Sequence, residues 1–172
     1  MSILKRNFYE QPTIKVAQNL LGKVLKYGDK KGKIVETEAY LRNDAACHAS
    51  RGMTERNKIM FGPAGHAYVY FTYGMHYCFN AVTQKEGIPE AVLIRAVEPL
   101  NGIRGKTDGP AKLCKALGID KRLNGADLTK GDFVILDSKE KVRIKRAKRI
   151  GIKENADKLW RFYTNSEFVS KK

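Results

Sequence analysis

The chain has no pair of cysteines spaced to work together. Its three, Cys47, Cys78 and Cys114, are odd in number and far apart, which argues against a disulfide framework and leaves reduced thiols as the expectation. Long apolar runs are missing as well. The opening MSILKRNFYEQPTIKVAQNLLG is broken by charge every few residues, so neither a signal-peptide core nor a membrane span is expected there. A soluble intracellular protein is the expectation, in the cytoplasm and nucleoid or in the nucleus according to source. No internal repeat or low-complexity linker interrupts the 172 residues, a length that suits one well-cored domain over 1–172. Acid is in short supply: 18 Asp and Glu face 33 Lys and Arg, a formal charge of +15. An excess of that size favours a polyanionic partner, foremost nucleic acid, over a surface that is basic only for solubility.

What is there instead is a succession of short β-favouring runs. KVLKYGDKKGKIVETEAY reads as a hairpin turning at Asp29 to Gly32, HAYVYFTYGMHYCFNAV as two strands around Tyr73-Gly74, and EAVLIRAV as a further strand. DFVILDS, VRIKRAKRIGI and LWRFYT supply later strands, with turns at Asn124-Gly125 and Lys130-Gly131. A helix is predicted over 12–21, from Pro12 to a stop at Gly22, with Ile14, Ala17 and Leu21 on its apolar face; another runs from Pro110 to Gly118. Residues 41–65 read as a long functional loop with a helical turn near NKIMF. Hairpins without long intervening helices imply an α+β domain: a curved antiparallel β-sheet or partial barrel, flanked by helices, with one protruding hairpin.

Alternation along KIVETEAY puts Ile34, Glu36, Glu38 and Tyr40 on one face. Same-face neighbours lie about 7 Å apart, so Glu38 and Tyr40 could touch one bound ring system. This is either a general base beside an aromatic wall or the solvated acidic face of an edge strand. Arg95, inside the apolar EAVLIRAV, either snorkels to water or is buried against a carboxylate such as Glu38. His48, in the polar loop, is the residue type of a solvated hydrogen-bonding group more often than of a catalyst. Cys47-His48 and His76-x-Cys78 do not have the spacing of a structural zinc site.

Tyr73 falls at the tip of the aromatic hairpin, where a large side chain can wedge into the minor groove. Tyr70 lies deeper and could line a pocket, and Asn80 could read a base edge, while Phe71, Tyr77 and Phe79 suit packing. Arg51, Arg56 and Lys58 in the loop, Lys106 and Lys112 around the later helix, and KVRIKRAKRIGIK offer phosphate neutralisation.

IVETEAY, AACHASRGMTERN, YVYFTYGMHYCFN, VLIRAVEPL, GPAKLCKALGI and LWRFY together resemble, in order and approximate spacing, the alkyladenine (3-methylpurine) DNA glycosylase family, from about Asn7 to Val169. The resemblance implies a monofunctional enzyme that hydrolyses the N-glycosidic bond of damaged purines, such as 3-methyladenine, 7-methylguanine or hypoxanthine, in double-stranded DNA during base excision repair. It places a water-activating carboxylate at Glu38, a water-holding arginine at Arg95 and a carbonyl contact at Val169. Tyr40, His48 and Tyr70 match the residues stacked around a flipped base, Asn80 the residue that disfavours guanine, and Tyr73 the intercalating tyrosine. Arg51, Thr54, Arg56 and Lys112 are then backbone contacts. The scheme requires no metal and no organic cofactor, and a monomer is expected. The segment from Leu100 to Gly109 is shorter than in longer members. The competing readings are a non-catalytic nucleic-acid-binding β-domain and, more distantly, a metal-dependent nuclease.

Overall fold

The computed structural model describes residues 1–171. Two short helices open the chain, α1 (Arg6–Tyr9) and α2 (Thr13–Asn19). Pro12, with φ of −50°, leads into α2, and Thr13, Val16, Ala17 and Leu20 are buried at the helical spacing of three and four. The strands are β1 (Val24–Tyr27), β2 (Lys30–Tyr40), β3 (Ala67–Thr72), β4 (His76–Thr83), β5 (Glu90–Asn101), β6 (Phe133–Leu136), β7 (Lys145–Ala147) and β8 (Arg161–Tyr163). A third helix, α3 (Pro110–Leu117), starts on proline and stops at Gly118, whose φ of 78° is the left-handed cap that glycine adopts without penalty.

The strands form one antiparallel sheet in the order β3-β4-β5-β2-β1-β6, curled into a half barrel. β2 is central. One edge pairs with β5 for nearly its whole length; the other pairs with β1 over its first residues and with β8 over Glu36 to Glu38. The edge-strand reading of the two glutamates therefore fails. The β1–β2 turn is Gly28-Asp29, since Tyr27 pairs with Lys30, and Gly32, expected in the turn, lies in the strand against Val97. The basic run over 142–152 contributes only the three residues of β7.

The strand faces correct a second expectation. Register slips on β2 and β5 leave Val35 and Arg95 without partners, because Ile34 pairs with Val97, Glu36 with Ala96 and Thr37 with Ile94. Bulges re-aim side chains, and across this pair the alternation reverses: Ile34 and Val97 enter the main core, although counting by twos from Glu38 and Arg95 would put them with the polar face. Thr37 donates its hydroxyl to the Ala17 carbonyl of α2 at 2.8 Å, fixing the opposite side of β2 to the helix. Phe79, Phe162, Leu20, Leu25 and Ile94 fill that core. Each large apolar side chain so buried contributes about 1.5–3 kcal/mol, which offsets the several kcal/mol for each ion taken from water on the other face.

Candidate active site

That other face forms the floor of a cleft of about 450 Å³, walled by β2, β3, β4 and β5, by the loop after β2 and by the loop between β7 and β8. Glu38 is wholly buried at its base. Its Oε1 accepts the Tyr40 hydroxyl at 2.9 Å and lies 3.4 Å from Arg95 Nη1, while Oε2 accepts the Ile150 N–H at 2.7 Å. Burial pushes the Glu38 pKa above the ordinary carboxylate value, against the opposing pull of Arg95, the Ile150 amide and the Tyr40 hydroxyl. Its oxygens are held by protein donors in place of water.

Glu36, also wholly buried, backs Arg95. Arg95 Nε stands 3.4 Å from Glu36 Oε1, outside the alignment of a hydrogen bond, and Arg161 Nη1 donates to the same oxygen at 3.2 Å. Ser170 completes the cage by donating its N–H to Glu36 Oε2 at 2.8 Å and its hydroxyl to Oε1 at 2.9 Å. Two arginines thus balance two carboxylates, as a buried charge requires. Arg95 is one of the buried-pair arginines, not a snorkelling one.

The aromatic wall is built from Tyr40, His48 and Tyr70. The His48 ring centroid is 4.4 Å from that of Tyr70, and its Nδ1 is 3.0 Å from the Tyr68 hydroxyl. Partial burial, helped by the Arg56 guanidinium, holds the His48 pKa below its usual value, so the ring is neutral at pH 7. Burial pushes the Tyr68 phenol up to about 12. His48 is kept in place by Asn57, whose side-chain amide donates to the His48 and Gly52 carbonyls, both at 3.0 Å, and whose own N–H is received by Thr54 Oγ1 at 3.3 Å. Asn80, buried between the strands, donates its amide to the Tyr68 carbonyl at 3.2 Å.

At the mouth of the cleft the β3–β4 hairpin turns through Tyr73, Gly74 and Met75. Tyr73 is 85% exposed, with φ of 54°, an unusual conformation for a residue with a large side chain. Its ring has no packing reason to be there. Phe71, expected in the core, is also exposed, leaning on Tyr77 at 5.0 Å.

A family model for methylpurine-DNA glycosylase matches residues 7–168. The chain belongs to the methylpurine-DNA glycosylase family. A protein of Legionella pneumophila strain Corby, provisionally named a 3-methyladenine DNA glycosylase, is 52% identical, covering 99% of this chain and 100% of its own. Similarly named proteins of Carboxydothermus hydrogenoformans, at 51% identity (99% of this chain, 100% of its own), and Methanocella arvoryzae, at 48% (100% and 98%), match equally broadly. The protein is therefore a hydrolase of N-glycosyl bonds with DNA as its substrate.

In this glycosylase Glu38, Tyr40, His48, Arg56, Tyr70, Tyr73, Asn80 and Arg95 all border the one cleft. Val169 does not; it lies beside Ser170, and so on the Glu36 side of Arg95. Arg51, Thr54 and Lys112 are exposed, with Lys112 paired to Asp108 at 3.3 Å near the start of α3, and Pro110 reaching the rim. Sequence reasoning missed the strip Ile150-Gly151-Ile152, which forms one wall, and Asn57, Asp44 and Arg149, which hold the walls. The only local signal was the change from alternating basic residues to Ile-Gly-Ile at 150–152. Arg149, expected to neutralise phosphate, has no exposed side-chain surface at all. No described helix is long and apolar enough to cross a membrane, and no described group of three or more His, Cys, Asp and Glu is placed to hold a metal.

Proposed function

We propose that the glycosylase extrudes an alkylated or deaminated purine from duplex DNA into this cleft and that Glu38 activates the water that replaces it. The observation that carries the reading is the placement of a buried, triply hydrogen-bonded carboxylate on the floor of a cleft walled by Tyr40, His48 and Tyr70. A base cannot be reached inside the stack, so the nucleotide must leave it, at a cost of a few kcal/mol that is smaller for a damaged or mispaired base. Tyr73, exposed on a strand-supported tip, is shaped to fill the gap it leaves.

N3- and N7-alkylated purines are cationic. Tyr40 and Tyr70 favour them by stacking and cation–π attraction, about 0.5–2 kcal/mol for a good contact, and the neutral His48 adds no repulsion. The same positive charge makes the base a good leaving group. As the glycosidic bond lengthens, the sugar approaches an oxocarbenium ion, whose charge the Glu38 carboxylate offsets while it takes a proton from the attacking water. Arg95 favours the ionised form of that carboxylate and positions the water, a task in which Val169, outside the cleft lining, takes no part. No lysine is among the described residues lining the cleft, and burial holds the Cys78 thiol protonated, which favours water over a protein nucleophile and hence base removal without strand cleavage. Asn80, with its amide committed to Tyr68, presents a fixed edge against which guanine's exocyclic amine is crowded. Arg51, Thr54, Arg56 and Lys112 hold phosphates around the mouth, and one copy of the chain suffices.

The test is release of free base from a duplex carrying a single alkylated or deaminated adenine, in the presence of EDTA. Free base and an intact abasic strand are expected. Binding without release would leave a non-catalytic DNA-binding domain, and EDTA-sensitive strand cleavage would leave a nuclease.

A further inference from the structure

The loop between β7 and β8 crosses the cleft at Glu38 without a ladder of its own: among the described residues, 148–152 make no backbone-to-backbone hydrogen bond outside the strands. Its course is set by side chains. Arg149 is buried between the rings of Tyr40 and Trp160, its guanidinium carbon 4.8 and 5.0 Å from their centroids. The guanidinium forks onto both carboxylate oxygens of Asp44 and donates to the Ala39 carbonyl at 3.0 Å and the Asn155 carbonyl at 3.3 Å. Asn155, at a φ of 50°, closes the ring by donating its side-chain amide to Asp44 Oδ1 at 2.9 Å. On the near side, Arg161 Nε holds the Lys148 carbonyl at 2.8 Å.

The peptide between Arg149 and Ile150 is the one whose N–H meets Glu38 Oε2 at 2.7 Å. We infer that Arg149, clasped by Asp44, is a positioning residue for the hydrolytic step: it fixes the Ile150 amide, and with it the direction of the Glu38 carboxylate and the plane of the Tyr40 ring. An arginine fork between two aromatic faces is suited to this as a lysine is not, because it is planar, takes a bidentate carboxylate and stacks at once. The inference rests on Glu38 being the base.

Glu38 is faced by Glu36 and Tyr40 on β2, Arg95 on β5, Cys78 on β4, the Ile150 amide from the loop and, behind Glu36, Arg161 on β8. Of these, Arg95 first, then the Ile150 N–H and the Tyr40 hydroxyl stabilise the charged form, and only the Ile150 N–H comes from the loop that Arg149 holds. Letting it drift raises the Glu38 pKa, so less of the base is ionised at any pH below its titration.

Single-turnover excision of an alkylated or deaminated adenine, followed from pH 5 to 9, reads this directly. Arg149→Met should move the acid limb up by about half to one pH unit, so that the rate falls about 3- to 10-fold on the acid side and converges toward wild type on the alkaline side. Arg149→Lys should show the same shift, smaller. Because Arg149→Met leaves Asp44 buried without its cation and can unfold the chain, Arg149→Lys, checked for a cooperative melt, decides the matter if Met does not fold. A folded variant with the wild-type acid limb, or with one factor of loss at every pH, would overturn the inference. If Glu38→Gln keeps the wild-type rate, it is the Glu38 assignment that fails, whatever the Arg149 variants do.

Discussion

Replacing Glu38 by glutamine separates charge from shape at the cleft floor. The amide oxygen can keep the Ile150 N–H, and the amide nitrogen then faces Tyr40, whose hydroxyl can turn to accept from it. Only Arg95 loses an acceptor, and it retains Glu36 at 3.4 Å. One weakened donor costs about 1–3 kcal/mol. Against this, burial already disfavours the Glu38 charge relative to water, so neutralising it returns part of that cost. The two effects nearly cancel, and the melting temperature should stay within about 4 °C, given about 2–4 °C per kcal/mol at this size. Excision should not survive so well. A positioned base contributes about 100- to 10,000-fold, or about 3–5 kcal/mol of barrier, and the lost negative charge removes stabilisation of the sugar cation as well. Single-turnover excision on a duplex with one deaminated adenine, with binding to the same duplex measured alongside, gives both halves. Excision within 3-fold of wild type would refute Glu38 as the base, and a fall of 10 °C in melting temperature would refute the charge accounting.

For the wild-type enzyme, the acid limb of the excision rate should lie above the pH at which a free glutamate titrates, about 4.3, because the proposed base, Glu38, would act only when ionised and its pKa is raised; the limb should vanish in Glu38→Gln. Tyr73→Ala should leave the melting temperature unchanged, since the ring is exposed, but weaken flipping by the worth of one stacked ring, about 1–3 kcal/mol; unchanged signal from a fluorescent base analogue would reject the wedge. Gly32→Ala puts a methyl 2.7 Å from Val97 Cγ2 and 2.9 Å from its Cβ, an overpacking that should cost about 1–3 kcal/mol in a urea melt. Arg6 ties α1 to the Ala64 carbonyl at 2.6 Å, Asp127 at 2.7 Å and Thr129 at 3.2 Å. At Asp127, burial raises the pKa but is outweighed by Thr129 and Arg6, which hold it at about 2. A lowered carboxylate stabilises the fold above its unfolded pKa and loses that stability as pH falls, here between about 4 and about 2. Arg6→Ala should flatten that acid loss in melting curves taken across the window.

The readable parts of the chain were those with local causes. Tyr-Gly at 73–74 announced a turn, and Pro110 with Gly118 bracketed a helix because proline and glycine act within their own residue. Glu38, Tyr40 and Arg95 could be grouped as candidates, yet whether the acids were solvated or buried depended on β8, whose sequence lies more than 120 residues further on. The bulge pair at Val35 and Arg95 left no mark, since no residue there is glycine, and alternation therefore sent Ile34 to the wrong face. Arg149 looked like every other cation in its run. Its partner Asp44 sits 105 positions away, and only the folded chain brings them together. The hairpin turn expected at Asp29 to Gly32 came out earlier because Gly28, with φ of 60°, could take the left-handed position as well as Gly32.

The central position of β2 has a consequence for how the enzyme fails. Its amides are locked by neighbours on both edges, so they should exchange with deuterium only when the whole sheet opens, whereas the Tyr73 tip is held by its own hairpin and by the Arg56 guanidinium on the Phe71 carbonyl. Heat should therefore loosen the proposed wedge before the proposed base, so that deuterium uptake at the 72–76 turn rises at a lower temperature than uptake over 36–38.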